Sequence, residues 1–149
     1  MSLNFSISQE KQLDEIVKKL IKSISAHQIF FFEGEVGSGK TTLIRYLLEG
    51  IAKLEKKKLF FQGSPTYQRE HIYNFKKYDV VHFDFYQVDN SSMDIDEYLL
   101  NNCIFIEWPP EALKSKYFDE ALFIKIDLKN KMREIKIQSR NNKWLQKIK

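Results

Sequence analysis

Residues Gly34-Glu35-Val36-Gly37-Ser38-Gly39-Lys40-Thr41 satisfy G-x-x-x-x-G-K-[ST], and no other stretch constrains the fold as tightly. The residues before it, Gln28-Ile-Phe-Phe-Phe-Glu33, read as a buried strand, and a helix is expected to begin between Lys40 and Thr42. Strand, glycine-rich loop and helix in that order make a phosphate-binding unit. The glycines at 34, 37 and 39 permit backbone conformations that a side chain forbids. Successive N–H groups then wrap the β-phosphate as an anion nest, and the helix N-terminus adds its positive dipole end. Lys40 is expected to reach the β- and γ-phosphates, and the Thr41 hydroxyl to coordinate magnesium. A nucleoside triphosphate with Mg2+ is the expected ligand.

The 149 residues suit one domain, taken as 1–149. No apolar run approaches the roughly 18–20 residues of a membrane span, and the first residues, Met1-Ser-Leu-Asn-Phe-Ser6, do not read as a secretory signal. Cys103 is the only cysteine, so no internal disulfide forms, and a cytoplasmic location is expected. Cys103 lies in an apolar run and reads as a small core residue. The net charge of +4 is uneven: residues 129–149 hold eight Lys/Arg and one acid, +7, which leaves −3 for the rest. That end could touch RNA or an acidic protein partner; it is read first as a solvated basic surface, because no aromatic-interleaved recognition pattern accompanies it.

Along the chain, Leu3–Ile7 reads as a strand and Ser8 as the N-cap of a helix from Gln9 to Ile24. Its core face carries Leu13, Ile16, Val17, Leu20, Ile21 and Ile24. The helix after the loop is expected to bury Leu43, Ile44, Leu47, Leu48, Ile51 and Leu54, with Gly50 weakening it modestly. Lys56-Lys57-Lys58 reads as an exposed turn rather than an RNA signal. Gly63-Ser-Pro-Thr66 is a loop, and Tyr67–Lys77 shows no clear period. Val80–Tyr86 alternates as a strand, with Val81, Phe83 and Phe85 on one face and His82, Asp84 and Tyr86 on the other. The polar-tipped face is expected to meet a site or solvent. Asp94–Leu100 reads as a short helix, Ile104–Ile106 as a strand ending in Glu107-Trp108, and Glu111–Lys116 as a helical turn. Ala121–Leu128 and Arg133–Ser139 are spaced as a hairpin. The fold class is α/β: a P-loop NTPase three-layer fold whose mixed sheet has late antiparallel strands.

Hydrolysis or phosphoryl transfer needs a carboxylate near magnesium and a group that positions the nucleophile. Glu107 ends an apolar strand and is the first candidate; Asp84 is the second. Thr66 is a candidate switch threonine for the γ-phosphate. His82 is read as a structural group more readily than as a base, and Trp108 as core more readily than as a nucleotide stack.

The phosphate loop, Gly63-Ser-Pro-Thr-Tyr67, His82-Phe-Asp-Phe-Tyr86 and Ile106-Glu-Trp-Pro109 occur in this order, and together they resemble the TsaE (YjeE) family of small bacterial ATPases. The resemblance implies an ATP- and Mg2+-dependent ATPase, weak alone. It would act with the TsaB and TsaD proteins in threonylcarbamoylation of adenosine 37 in tRNAs that read A-starting codons. It implies tRNA contact only through that complex and no membrane. Carried over by position, Gly34 to Thr42 contact nucleotide, and Glu107 associates with magnesium. Asp84 organises the attacking water, Thr66 is the switch threonine, and Trp108 stands beside the nucleotide. Arg133 contacts the nucleotide from a late strand, and Gln9 lines the adenine side. One departure is Gln87, which stands where the family often has arginine; a neutral amide cannot replace a charged bidentate donor.

Two other classes remain open on the residues. A small-molecule kinase would use the same loop but needs an acceptor pocket and usually a basic lid. No arginine-rich lid is seen, since Arg45, Arg69, Arg133 and Arg140 are the only arginines. A nucleotide-responsive binding module, holding RNA through the basic end, would hydrolyse little, bind tRNA in a salt-sensitive way without partners, and tolerate replacement of Glu107 or Asp84.

Overall fold

Residues 29–33 are apolar on both faces until Glu33, the composition of a strand covered from both sides. In the computed structural model, which describes residues 2–65, 70–87 and 95–148, they form the central strand β2 (Ile29–Glu33). The other strands are β1 (Ser2–Ile7), β3 (Glu70–Asn74), β4 (Asp79–Asp84), β5 (Asn102–Glu107), β6 (Leu122–Lys129) and β7 (Met132–Gln138). The helices are α1 (Leu13–Ile21), α2 (Lys40–Leu54), α3 (Glu111–Lys116) and α4 (Asn142–Ile148). The strands form one sheet in the order β1-β7-β6-β2-β5-β4-β3. β6, β2, β5 and β4 run parallel; β1, β7 and β3 pair antiparallel at the two sides.

One face of the sheet packs on α1, α2 and α4 through Phe30, Phe32, Phe105, Ile124 and Ile137. The other packs through Ile29, Phe31, Phe83, Ile104 and Ile106 on α3 and the 3-10 turn Asp96–Leu100. The second layer stops short of the β1–β7 side. There Asn4, Ser6, Lys125, Lys136 and Gln138 are exposed on the sheet face. This is the expected three-layer mixed sheet, with the late strands antiparallel.

Several local expectations change. Ser8 does not cap the first helix. Instead the Gln12 Oε1 reaches back to accept the N–H groups of Ser8 (2.7 Å) and Gln9 (2.8 Å), and the chain opens with a 3-10 turn, Glu10–Gln12, before α1. α1 is also shorter than expected, ending at Ile21. Leu54 is 72 % exposed, not buried, because α2 has passed the edge of the sheet by its last turn. Residues 70–74, read as aperiodic, form β3, whose side chains alternate between His71 and Tyr73 inside and Ile72 and Asn74 outside. Hydrogen bonding to β4 supplies the order that composition lacks. The helix expected at Asp94–Leu100 is a 3-10 turn over Asp96–Leu100, and Asp94 lies outside the described residues. α4 was not expected at all: it packs beside α1, with Leu145 and Ile148 buried in the same core, while Lys143 and Lys147 are exposed.

Gly50 is explained by packing rather than as a weakness. A Cβ there would lie 2.6 Å from Ile21 Cδ1 and 3.1 Å from Val17 Cγ1, so its bare backbone lets α1 and α2 approach. Among the described residues, no helix is long and apolar enough to cross a membrane.

Candidate functional site

In a parallel sheet the carboxyl ends of the strands share one edge, where the loops to the helices open. Here β2 delivers Glu33 and the phosphate loop to that edge, while β5 and β4 deliver Glu107 and Asp84 in register beside each other. The loop turns tightly, with Ser38 N–H bonded to Glu35 O at 3.0 Å, and α2 starts at Lys40. Gly34 must be glycine: its φ is +150°, and a Cβ would lie 2.4 Å from the Ile126 carbonyl of β6.

The loop and the strand ends are tied together by side chains. Thr41 Oγ1 donates to Glu107 Oε1 at 2.7 Å, joining residues 66 apart in sequence. The other oxygen of Glu107, Oε2, is 2.7 Å from His82 Nε2, both side chains being buried. Ser64 Oγ donates to Asp84 Oδ2 and lies 3.4 Å from Glu107 Oε2, so one hydroxyl sits between the two carboxylates. The Tyr86 N–H donates to Asp84 Oδ1 at 2.9 Å. Every carboxylate oxygen of Asp84 and Glu107 therefore has a fixed partner, which holds both groups in single orientations.

Lys40 Nζ donates to the loop carbonyls of Gly34 (2.5 Å) and Glu35 (3.1 Å) and sits 4.4 Å above the Trp108 ring. Burial draws its ammonium below the ordinary lysine range, while Glu107, Asp84 and Glu35 oppose that shift. Trp108, at φ +55°, turns out of β5 and packs on Tyr86 with ring centres 4.7 Å apart. Arg133 reaches from β7 to the loop, its Nε donating to Ser38 O at 2.8 Å. A groove of about 370 Å³ runs between the loop, Asp84, Glu107, Trp108 and Arg133. A smaller cavity, about 40 Å³, lies behind the loop against Ile7, Leu13, Thr42 and Arg133.

The fold thus gathers Val36, Gly37, Gly39, Lys40, Thr41, Thr42, Asp84, Glu107, Trp108 and Arg133 around one groove. Gln9 lies apart, exposed at the start of the first 3-10 turn and in the lining of neither cavity. Thr66 lies outside the described residues. Gln87 is exposed, with φ +56°. Two residues at the groove were given no role from sequence: Ser64 and Tyr86. Ser64 stood beside Thr66 in the same loop, and Tyr86 closed the His-x-Asp-x-Tyr pattern, so the signal was position within a motif.

The profile of the family described as "Threonylcarbamoyl adenosine biosynthesis protein TsaE" matches residues 7–138. The chain belongs to the TsaE family. Among curated TsaE proteins, the one from Haemophilus influenzae is 31 % identical over 131 residues, covering 78 % of each chain. The one from Borreliella burgdorferi is 30 % identical over 112 residues, covering 70 % of this chain and 76 % of its own. Both are called tRNA threonylcarbamoyladenosine biosynthesis protein TsaE. The crystal structure of YdiB from Bacillus subtilis superposes with a TM-score of 0.77 at 20 % identity, covering 99 % of this chain and 91 % of that one, a likeness of fold. The TsaE match ends at the last residue of β7 and leaves α4 outside it.

Proposed function

We propose that this TsaE-family chain binds ATP with magnesium along the groove, hydrolyses it, and serves threonylcarbamoylation of tRNA adenosine 37 together with TsaB and TsaD. The observation that carries the reading is the Thr41–Glu107 contact: the loop hydroxyl and a strand-end carboxylate meet at 2.7 Å. Hydroxyl and carboxylate oxygens are hard donors and suit Mg2+. Among the described residues no group of three or more His, Cys, Asp or Glu side chains gathers as a metal cage. That fits an ion which keeps several waters and binds through one or two protein groups and substrate phosphates. ATP over GTP, and TsaB and TsaD as partners, rest on the family resemblance.

When bound, magnesium supplies positive charge against the phosphate oxygens. The chain's own residues do the rest. The loop N–H groups and the α2 N-terminus hold the phosphates. Lys40 carries a buried cation within reach of its own loop and moves from the Gly34 and Glu35 carbonyls onto phosphate oxygen. Asp84, held by the Tyr86 N–H and Ser64, accepts a hydrogen bond from the attacking water and fixes its line of approach. Val36 is 69 % exposed and Tyr86 37 % exposed at the rim, so the groove is open on its outer side. An open groove supports a weak rate for the isolated chain and completion by a partner.

The test is ATP hydrolysis by the purified chain, alone and with TsaB and TsaD. Partners are expected to stimulate it, and Lys40→Ala and Glu107→Ala each to reduce the stimulated rate by about 100-fold or more. A rate indifferent to the partners, or to Glu107→Ala, would sink this reading.

A further inference from the structure

The loop that carries Ser64 has little of its own to hold it. Residues 57–65 form neither helix nor strand, and among the described residues no backbone–backbone hydrogen bond reaches residues 58–65. Yet the Ser64 hydroxyl stands between carboxylates from two different strands, Asp84 on β4 and Glu107 on β5. A side chain on an otherwise unsupported loop keeps such a place only if something else fixes the backbone on either side of it.

The support comes from β3. Alternate side chains of a strand share a face, so His71 and Tyr73 lie together on the inner face, about 7 Å apart along the strand, and both are buried. The Tyr73 hydroxyl accepts the Gln62 N–H at 2.9 Å, and its ring stacks on Phe61 with centres 6.2 Å apart and planes 14° from parallel. His71 Nδ1 lies 3.0 Å from Gly63 O. A carbonyl only accepts, so Nδ1 carries the hydrogen and the ring donates it. Two side chains of one strand therefore grip two consecutive loop residues, one by its N–H and the next by its C=O. Gly63 takes φ +77°, a turn few other residues adopt, and Ser64 follows it directly. A serine hydroxyl has one hydrogen, and here it goes to Asp84 Oδ2. With the Tyr86 N–H on Oδ1, that bond sets the orientation of the Asp84 carboxylate. The same strand flanks the other carboxylate: His71 stands directly opposite His82, whose Nε2 meets Glu107 Oε2.

We propose that His71, seconded by Tyr73, is a positioning residue for the groove: it holds the Gly63 carbonyl so that the Ser64 hydroxyl fixes Asp84 in the orientation the attacking water meets. Neither residue lines the groove itself. Lys40 and Thr41 take their hydrogen bonds from Gly34, Glu35 and Glu107, with none from β3. The clamp therefore acts on turnover rather than on the hold on the phosphates. That kinetic consequence rests on the hydrolysis reading above; the clamp itself does not.

The experiment has two arms, both on the intact chain. In the first, proton–nitrogen correlation spectra without nucleotide compare the parent with His71→Ala, His71→Asn and Ile72→Ala. The Ser64 and Asp84 signals are expected to move in His71→Ala and to return toward their parent positions in His71→Asn, whose side-chain amide can donate from near the place of Nδ1. Ile72→Ala, on the exposed outer face of the same strand, should leave them in place. The Lys40 and Thr41 signals should stay put throughout. In the second arm, ATP hydrolysis is measured with TsaB and TsaD present. His71→Ala is expected to lower kcat by about tenfold or more while KM for ATP changes by less than about twofold, and His71→Asn to recover most of the rate. The double variant Ser64→Ala/His71→Ala should lose no more than Ser64→Ala alone, because both changes break the same chain of contacts. Tyr73→Phe, which keeps the ring over Phe61, should lose less than His71→Ala. Circular dichroism melting checks that each variant is folded. Unmoved Ser64 and Asp84 signals in His71→Ala, additive losses in the double variant, a rise in KM as large as the fall in kcat, or an equal loss in Ile72→Ala would overturn the proposal. A parent chain that hydrolyses no ATP would end the hydrolysis reading alone, and the spectra would then decide the clamp.

Discussion

His82 shows how much a single buried side chain can settle. It has no exposed surface, and its Nε2 lies 2.7 Å from Glu107 Oε2, the oxygen turned away from Thr41. Its Nδ1 has no hydrogen-bond partner among the described residues. The ring therefore spends its one strong contact on aiming Glu107. Replacing it by Ala leaves that buried oxygen only the long 3.4 Å contact from Ser64 Oγ, a loss of about 1–3 kcal/mol in stability. His82→Ala is expected to raise the magnesium concentration for half-maximal ATP hydrolysis by about 10–100-fold. His82→Gln, which keeps an N–H, should recover part of it. A magnesium titration of both variants checks this; a fall in maximal rate with an unchanged magnesium requirement would count against an aiming role. At this scale the sequence was most legible in the loop, where spacing alone dictates chemistry. The contacts of Ser64 and Tyr86 were not legible, because they depend on which strand ends become neighbours.

The elements depend on their seams. Gly50 sits where α1 crosses α2, and a methyl group there meets Ile21 and Val17. Gly50→Ala gains up to about 1 kcal/mol in helix propensity but must push the flexible Ile21 methyl aside, so a near-neutral result is expected. Gly50→Val adds more bulk against the stiff Val17 side chain and should cost about 1–3 kcal/mol; urea denaturation distinguishes the two. A second seam joins α3 to the 3-10 turn at 96–100, where the Tyr117 hydroxyl and Lys116 bond Asp96. Burial first, then the Asp96 bond, push the Tyr117 hydroxyl up to about 12, while the same bond and Lys116 hold Asp96 below its ordinary value. The signs follow from linkage. The tyrosine contribution is complete below pH about 10, its unfolded value, and is lost as pH rises toward 12. The aspartate contribution is present above about 4 and lost as pH falls further. Melting temperature against pH should therefore decline at both ends, and Tyr117→Phe should flatten the alkaline decline.

Across the whole molecule, one sheet serves two cores. Phe105 packs toward α1, α2 and α4, Phe31 toward α3, and both are fully buried in adjacent strands. Phe105→Ala and Phe31→Ala should each cost about 3–5 kcal/mol. Both should leave a single unfolding transition, because neither layer can dissolve without uncovering the shared sheet. Coincident urea curves by far-ultraviolet circular dichroism and tryptophan fluorescence would bear this out; separated curves would mean the layers unfold independently.

By itself the sequence determined the phosphate loop, the strand and helix on either side of it, the hairpin of β6 and β7 and the strand ending in Glu107. Each of these is specified by local spacing: glycine positions, period-2 or period-3.6 apolar patterning, and proline stops. Only the tertiary structure decided the strand order, the ordering of 70–74 into β3, the docking of α4 and the exposure of Leu54. It also decided that Thr41, His82 and Ser64 converge on Glu107. Those are long-range facts, fixed by which surfaces bury one another and by which buried polar groups can satisfy one another, and no local pattern encodes them.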